Sequence, residues 1–222
     1  MTKAVIFDMY ETLITLFESP LYFGTQMASD AGIEEVKFQE IWHAAEADRT
    51  TGKITLEEIL EKILKENDCY SEAKMDFIVN KRIRCKEKSF EHLHKDIIPT
   101  LNALKKKRIQ IGLISNCFSE EAMVIKKSIL YPYFDAVCLS FDEGLQKPDH
   151  AIFNRCLEKL NVQARYCLYV GDGGSMELET AEMLGMKAVQ AVWYLKENTL
   201  QPSKRKPGFK QLETPLDILN II

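Results

Sequence analysis

Two stretches of this 222-residue chain place acids where acids do chemistry. Val5-Ile6-Phe7 is an apolar run that ends in Asp8 and is followed by Met9-Tyr10-Glu11-Thr12-Leu13. Tyr169-Val170-Gly171 ends likewise in Asp172, with Gly173-Gly174-Ser175-Met176-Glu177 behind it. Between them come Ser115-Asn116, after a further apolar run, and Lys147-Pro148. Two carboxylates at one site repel unless a proton or a cation lies between them. A hard, oxygen-ligated cation such as Mg²⁺ relieves that repulsion and commonly binds substrate phosphate too. A lysine, a small hydroxyl and free backbone N–H groups can hold the anionic oxygens of a phosphoryl group. A carboxylate held against phosphorus can attack it and form an acyl phosphate, which one water then hydrolyses.

Such residues meet only if the elements before them lie side by side. Lys3 to Phe7 is a short continuous apolar run rich in β-branched residues, as expected of a strand buried on both faces. Similar runs recur at 109–114, 136–139, 167–170 and 188–192. Helical patterns separate them. Residues 96–107 carry Ile97, Leu101 and Leu104, and 119–129 open with Ser119 as a candidate N-cap. Residues 150–160 put Ile152, Phe153, Cys156, Leu157 and Leu160 on one helical face, and 175–184 form a further short helix. Strands alternating with helices predict an α/β fold with a parallel sheet covered on both faces. In such sheets ligands bind outside the carboxyl ends of the strands, where the strand order switches. Asp8, Ser115, Asn116 and Asp172 all fall there.

Between Leu16 and about Leu93 the pattern is helical throughout. Thr55-Leu56-Glu57-Glu58 reads as a capping box opening a helix through Lys65. Ser71 can cap a helix in which Met75, Ile78, Val79 and Ile83 recur at helical spacing, and 20–31 and 34–48 are further candidates. A helical block therefore interrupts the α/β unit after its first strand. Residues 196–215, with Pro202, Pro207 and Pro215, read as a surface excursion before a short final helix.

Composition narrows the function classes. The chain is 46% apolar and 28% charged, ordinary values for a folded globular protein. Its net charge of −4 offers no basic footprint for nucleic acid. The basic runs 105–108 and 204–206 read as solvated helix ends or loops. No apolar run approaches the ~20 residues that a bilayer span requires. Ala4 to Phe7 is also too short for the apolar region of an export signal. The six cysteines form no Cys-x-x-Cys pair and are expected as reduced thiols in a cytoplasmic protein. Oligomeric state is left open.

Taken in order, these motifs resemble those of the haloacid dehalogenase-like (HAD) hydrolases. The first matches that family's Asp-x-Asp-x-Thr strand end as Asp8-Met9-Tyr10-Glu11-Thr12. The second matches as Leu113-Ile114-Ser115-Asn116, the third as Gln146-Lys147-Pro148-Asp149, the fourth as Gly171-Asp172 with Glu177 beyond. The resemblance spans residues 4–186. It implies a Rossmann-like parallel-sheet core over 1–15 and 93–222, with an inserted all-helical cap domain over 16–92. It also implies a Mg²⁺-dependent phosphatase of a small phosphorylated metabolite. Asp8 would be nucleophile and metal ligand. Asp172 and the backbone carbonyl of Tyr10 would be ligands, and Glu177 a direct or water-mediated one. Ser115, Asn116 and Lys147 would bind the phosphoryl group.

One position departs from that pattern. Phosphatases of the family carry a second aspartate two residues after the nucleophile as general acid and base, and here the residue is Tyr10. A phenol with an ordinary pKa near ~10 is a poor base at neutral pH. Tyr10 is then pocket wall and packing, and Glu11 is available to swing in as a substitute. Haloacid dehalogenases also carry tyrosine there but do not usually keep the acidic metal motif, which is intact in this chain. The alternatives are a carbon-centred dehalogenase and a binding module that lost efficient chemistry. Phe17, Tyr22, Phe23 and Trp42 are candidates for the substrate side of the cap, although packing is the commoner use of such residues. His43, His92 and His94 read as solvated or boundary residues.

Overall fold

The computed structural model describes residues 2–196, 201 and 204–222. Five of its strands are β1 (Ala4–Phe7), β2 (Gln110–Ser115), β3 (Ala136–Leu139), β4 (Cys167–Gly171) and β5 (Lys187–Ala191). Each lies within a residue of an apolar run seen in the sequence. A sixth, β6 (Lys210–Leu212), falls inside the stretch expected to be a plain surface excursion. Three residues of Lys-Gln-Leu at a sheet edge carry too little apolar pattern to announce themselves. The six strands form one parallel sheet in the order β3-β2-β1-β4-β5-β6. The chain leaves β1 toward β2 on one side and later returns to β4 on the other. The carboxyl ends of β1 and β4 therefore flank the crevice where the order switches.

Helices cover both faces of the sheet. Val5 and Phe7 pack under α6 (Ile97–Lys106) and α7 (Ser119–Lys127). Ala4 and Ile6 pack under α9 (His150–Leu160) and α10 (Glu177–Met183). This is the period-two alternation of a strand with two buried faces. A one-turn helix, α8 (Ser140–Glu143), follows β3, and Pro215–Asn220 close the chain as a 3₁₀-helix.

Between β1 and α6 the chain holds α1 (Gly24–Ala31), α2 (Glu35–Ala44), α3 (Glu46–Thr50), α4 (Leu56–Glu66) and α5 (Glu72–Lys88). This block has an apolar core of its own, built from Met27, Phe38, Leu60, Ile63 and Ile78 among others. Tyr22 and Trp42 belong to that core. The capping box at Thr55 is present: its hydroxyl accepts the Glu58 N–H, and Glu58 accepts the Thr55 N–H in return. Ser71 caps α5 by accepting the Lys74 N–H. Ser119 does otherwise than expected. It is the first residue of α7, and its hydroxyl accepts the Leu56 N–H at 2.9 Å, tying the start of α4 to the α/β unit. Glu121 takes the capping role at α7 by accepting the Phe118 N–H at 3.0 Å. No helix among the described residues is long and apolar enough to cross a membrane. All six cysteines are free.

Candidate active site

Four residues from three segments widely separated in sequence meet at the β1–β4 crevice. Asp8 follows β1 directly, and its N–H donates to the Val170 carbonyl of β4 at 3.0 Å. Asp172 follows β4, and one of its carboxylate oxygens accepts the Gly174 N–H at 3.0 Å, fixing the turn. Glu177 opens α10 and is completely buried. Ligand oxygens of Asp8, Asp172 and Glu177 all lie within 4.8 Å of one another. Lys147 reaches in from the turn before α9, whose N-terminus is capped by Asp149. The lysine ammonium donates to Asp8 Oδ1 at 2.6 Å and to Glu177 Oε2.

Two glycines let the loop after β4 come this close. A Cβ on Gly171 would run into the Glu177 carboxylate. Gly173 has φ of 93°, in the left-handed region that other residues enter at a cost. Its N–H donates to Glu177 Oε1 at 3.2 Å, and the Tyr169 hydroxyl donates to Oε2 at 2.9 Å. Glu177 thus accepts three donors, Lys147 included.

Burial sets the electrostatics. It raises the Asp8 pKa above its ordinary value; Lys147 opposes that rise and Asp172 adds to it. Glu177 is pushed up to about 8, first by burial and then by Asp8. Burial works against the charge on Lys147, but Asp8 and Glu177 outweigh it and hold its pKa above the ordinary range. Three carboxylates and one ammonium carry a formal charge of −2, which a divalent cation would balance. The donor set is all oxygen and carboxylate-rich, so it fits Mg²⁺ or a similarly hard ion.

The site opens into a cavity of about 910 Å³, whose lining includes Asp8, Lys147, Asp172, Glu177, Tyr10 and Asn116. Phe17 and Phe23 also line it, with Leu16. A second cavity of about 620 Å³ lies against α2 and α3 and shares Asn116, Lys147 and Ser175 with the first. Asn116 is tied to the lysine turn in both directions: its Oδ1 accepts the Lys147 N–H at 2.8 Å and its Nδ2 donates to the Lys147 carbonyl at 3.0 Å. Ser115 sits at the end of β2 with its side chain fully buried, and the cavity lining passes through its neighbour Asn116.

Tyr10 is half-buried on the cavity wall. Burial, reinforced by Glu121, raises its pKa well above the ordinary value, so the phenol keeps its proton. Glu11 does not swing toward the acids. Its Oε1 accepts the Leu16 N–H at 2.9 Å, and its Oε2 accepts from the Thr15 hydroxyl at 2.7 Å and Gln201 Nε2 at 3.1 Å. It braces the loop that leads into α1. Sequence reasoning missed one part of the wall. The basic run Lys204-Arg205-Lys206, expected to be solvated, lines the same cavity. A charge run separated from every catalytic motif carries no signal that it will fold back.

The family model of haloacid dehalogenase-like hydrolases matches residues 2–185. The chain belongs to the haloacid dehalogenase-like hydrolases. Over its whole length, and 97% of the relative's, this hydrolase is 22% identical to the glyceraldehyde 3-phosphate phosphatase of Methanopyrus kandleri. Among solved structures it is similar to a 2-haloacid dehalogenase from Pseudomonas syringae. The TM-score is 0.68 at 20% identity, with 99% of this chain and 97% of that one covered. It is also similar to a HAD family enzyme from Bacteroides thetaiotaomicron in complex with magnesium and inorganic phosphate. There the TM-score is 0.62 at 16% identity, with 91% and 98% covered. At these identities the structures speak for the shared fold.

Proposed function

We propose that this HAD-like hydrolase is a Mg²⁺-dependent phosphatase of a small phosphorylated metabolite, acting through an aspartyl phosphate on Asp8. The observation that carries the reading is the meeting of Asp8, Asp172 and Glu177 within 4.8 Å, beside Lys147 and at the floor of a cavity. In this reading residues 1–15 and 93–222 form the catalytic core, and 16–92 form the cap that closes over the substrate and excludes water. Asp8, Asp172 and the Tyr10 carbonyl would hold Mg²⁺, with Glu177 contributing its charge directly or through water. When bound, the ion neutralises the acids and the phosphoryl oxygens.

The chain's own residues do the rest. Lys147 orients the Asp8 carboxylate through Oδ1 and binds the phosphoryl group, with Ser115 and Asn116 at its edge. An Asp8 oxygen attacks phosphorus, and the bond from phosphorus to the leaving oxygen breaks. The leaving oxygen takes a proton, for which the protonated Tyr10 hydroxyl on the cavity wall is the donor. Water then attacks phosphorus, gives a proton back to the Tyr10 phenolate, splits the acyl phosphate, restores Asp8 and releases inorganic phosphate. A phenol held above its ordinary pKa is a weak donor, so esters with good leaving groups are favoured. A cytoplasmic setting accords with the six free thiols.

The test is phosphate release from p-nitrophenyl phosphate and from a panel of phosphorylated metabolites, with Mg²⁺ and with chelator. Activity with Mg²⁺ that is lost with chelator and falls at least about 10³-fold in Asp8→Asn supports the reading. Full turnover in Asp8→Asn contradicts it. Tyr10 favours a second reading, a carbon-centred dehalogenase. Halide release from 2-chloropropionate in chelator would replace the phosphatase reading with that one. Absence of any turnover, both before and after Tyr10→Asp, with Mg²⁺ still bound, would replace it with a binding role.

A further inference from the structure

The Lys204–Lys206 segment is fastened to the acidic loop by a single buried amide. Gln190, on β5, is completely buried, and its Nε2 donates to the Asp172 carbonyl at 2.8 Å and to the Lys204 carbonyl at 2.8 Å. Its Oε1 accepts the Lys206 N–H at 2.8 Å. One side chain thus holds the basic turn against the backbone of Asp172. The side chains of the turn divide into anchors and a remainder. Lys206 pairs with Glu179 at 2.6 Å, and its stem lies close against Gly173. Arg205 pairs with Glu213 at 2.7 Å and with Gln211 at 2.6 Å. Lys204 is exposed, lines the cavity, and has no carboxylate partner among the described residues.

A lysine whose backbone is held at the rim of a cavity with three acids on its floor is not needed by the phosphoryl group, which Lys147 serves in this reading. Leu16, Phe17 and Phe23 give the cavity an apolar wall. We propose that Lys204 is a specificity residue that binds a carboxylate on the leaving portion of the substrate. The substrate class is then a phosphomonoester with an apolar body and a carboxylate at the end remote from phosphorus. This deepens the phosphatase reading and rests on it. One ammonium matches one carboxylate in charge, and the Gln190 clamp fixes the backbone of the turn, so only the lysine side chain is left to order on binding.

The experiment separates this proposal from the reading beneath it. Binding of benzylphosphonate and of 4-carboxybenzylphosphonate, neither of which can be hydrolysed, is measured by calorimetry with Mg²⁺ on the full chain. The parent is expected to bind the carboxylated ligand about tenfold more tightly, the scale of one charge-assisted hydrogen bond. Lys204→Ala should abolish that preference, Lys204→Glu should reverse it, and Lys204→Arg should keep it. A preference unchanged in Lys204→Glu, no preference in the parent, or no binding of either ligand overturns the proposal. Hydrolysis of phenyl phosphate and 4-carboxyphenyl phosphate is followed in parallel. If the preference holds but neither ester is cleaved, the phosphatase reading fails while the carboxylate site stands.

Discussion

Replacing Arg82 by methionine should destabilise the protein more than any surface substitution. Arg82 and Lys86 lie one turn apart on α5 and face Glu120 and Glu121 on α7. All four side chains are at most 7% exposed. The Arg82 guanidinium donates to Glu120 at 2.6 Å, to the Tyr22 carbonyl at 2.7 Å and to Glu121 at 3.4 Å. Lys86 pairs with Glu121 at 2.7 Å. The two cations pair directly with the two anions. Arg82→Met keeps the unbranched apolar stem but removes the guanidinium, and so strands Glu120 and the Tyr22 carbonyl in a buried setting. Breaking a buried pair on one side costs about 3–5 kcal/mol. For a chain of this size each kcal/mol moves Tm by roughly 2–4 °C, so a fall of about 10 °C is expected. Adding Glu120→Gln removes the stranded charge and should recover part of the loss. The sign of the pH dependence is also fixed. Burial would raise the Glu121 pKa, but Lys86 and Arg82 outweigh it and hold it below the ordinary 4.5. Its contribution to stability is therefore complete above that value and is lost as pH falls through the folded-state pKa. The assay is thermal unfolding of the parent, Arg82→Met, its double with Glu120→Gln, and Glu121→Gln from pH 3 to pH 7. A Tm for Arg82→Met within about 2 °C of the parent at pH 7 would refute the reasoning, as would an acid limb identical in the parent and Glu121→Gln.

Three further outcomes follow from single positions. Gly171→Ala puts a methyl group where the Glu177 carboxylate lies, so the variant should lose metal-dependent activity while retaining the far-UV signature of the fold; wild-type turnover would contradict the packing described. Thr55→Ala removes the hydroxyl that accepts the Glu58 N–H and should cost about 1 kcal/mol in urea unfolding, with activity little changed. Gln190→Leu severs three hydrogen bonds to the Asp172 and Lys204–Lys206 backbones and should weaken binding of 4-carboxybenzylphosphonate; binding equal to the parent's would show that the turn needs no clamp.

Much of this arrangement is legible in the chain before any coordinates. Strands buried on both faces must be continuous apolar runs, so β1 to β5 announce themselves, and the acids that close β1 and β4 are readable as neighbours from the topology alone. Capping boxes at Thr55 and caps at Ser71 are local chemistry and are read locally. What escapes the sequence is long-range. Arg82, Lys86, Glu120 and Glu121 look like solvated charges because pattern reading sends charges outward, and only packing of α5 on α7 buries them together. Ser119 has an N-cap residue's chemistry, yet its hydroxyl serves α4 instead, 63 positions away. Lys204 reaches the cavity because Gln190, an uncharged residue inside a buried strand, holds its backbone there. Glu11, which sequence alone leaves free to act as an acid, is held by Thr15, Leu16 and Gln201.

The measurement that bears most directly on the acid cluster is calorimetric titration of Mg²⁺ into the full chain, the Asp172→Asn variant and the Asp8→Asn variant. One ion per chain for the parent, with the binding heat lost in both variants, is the predicted result. No binding to the parent, or equal binding to all three proteins, would mean that Asp8 and Asp172 do not share a cation.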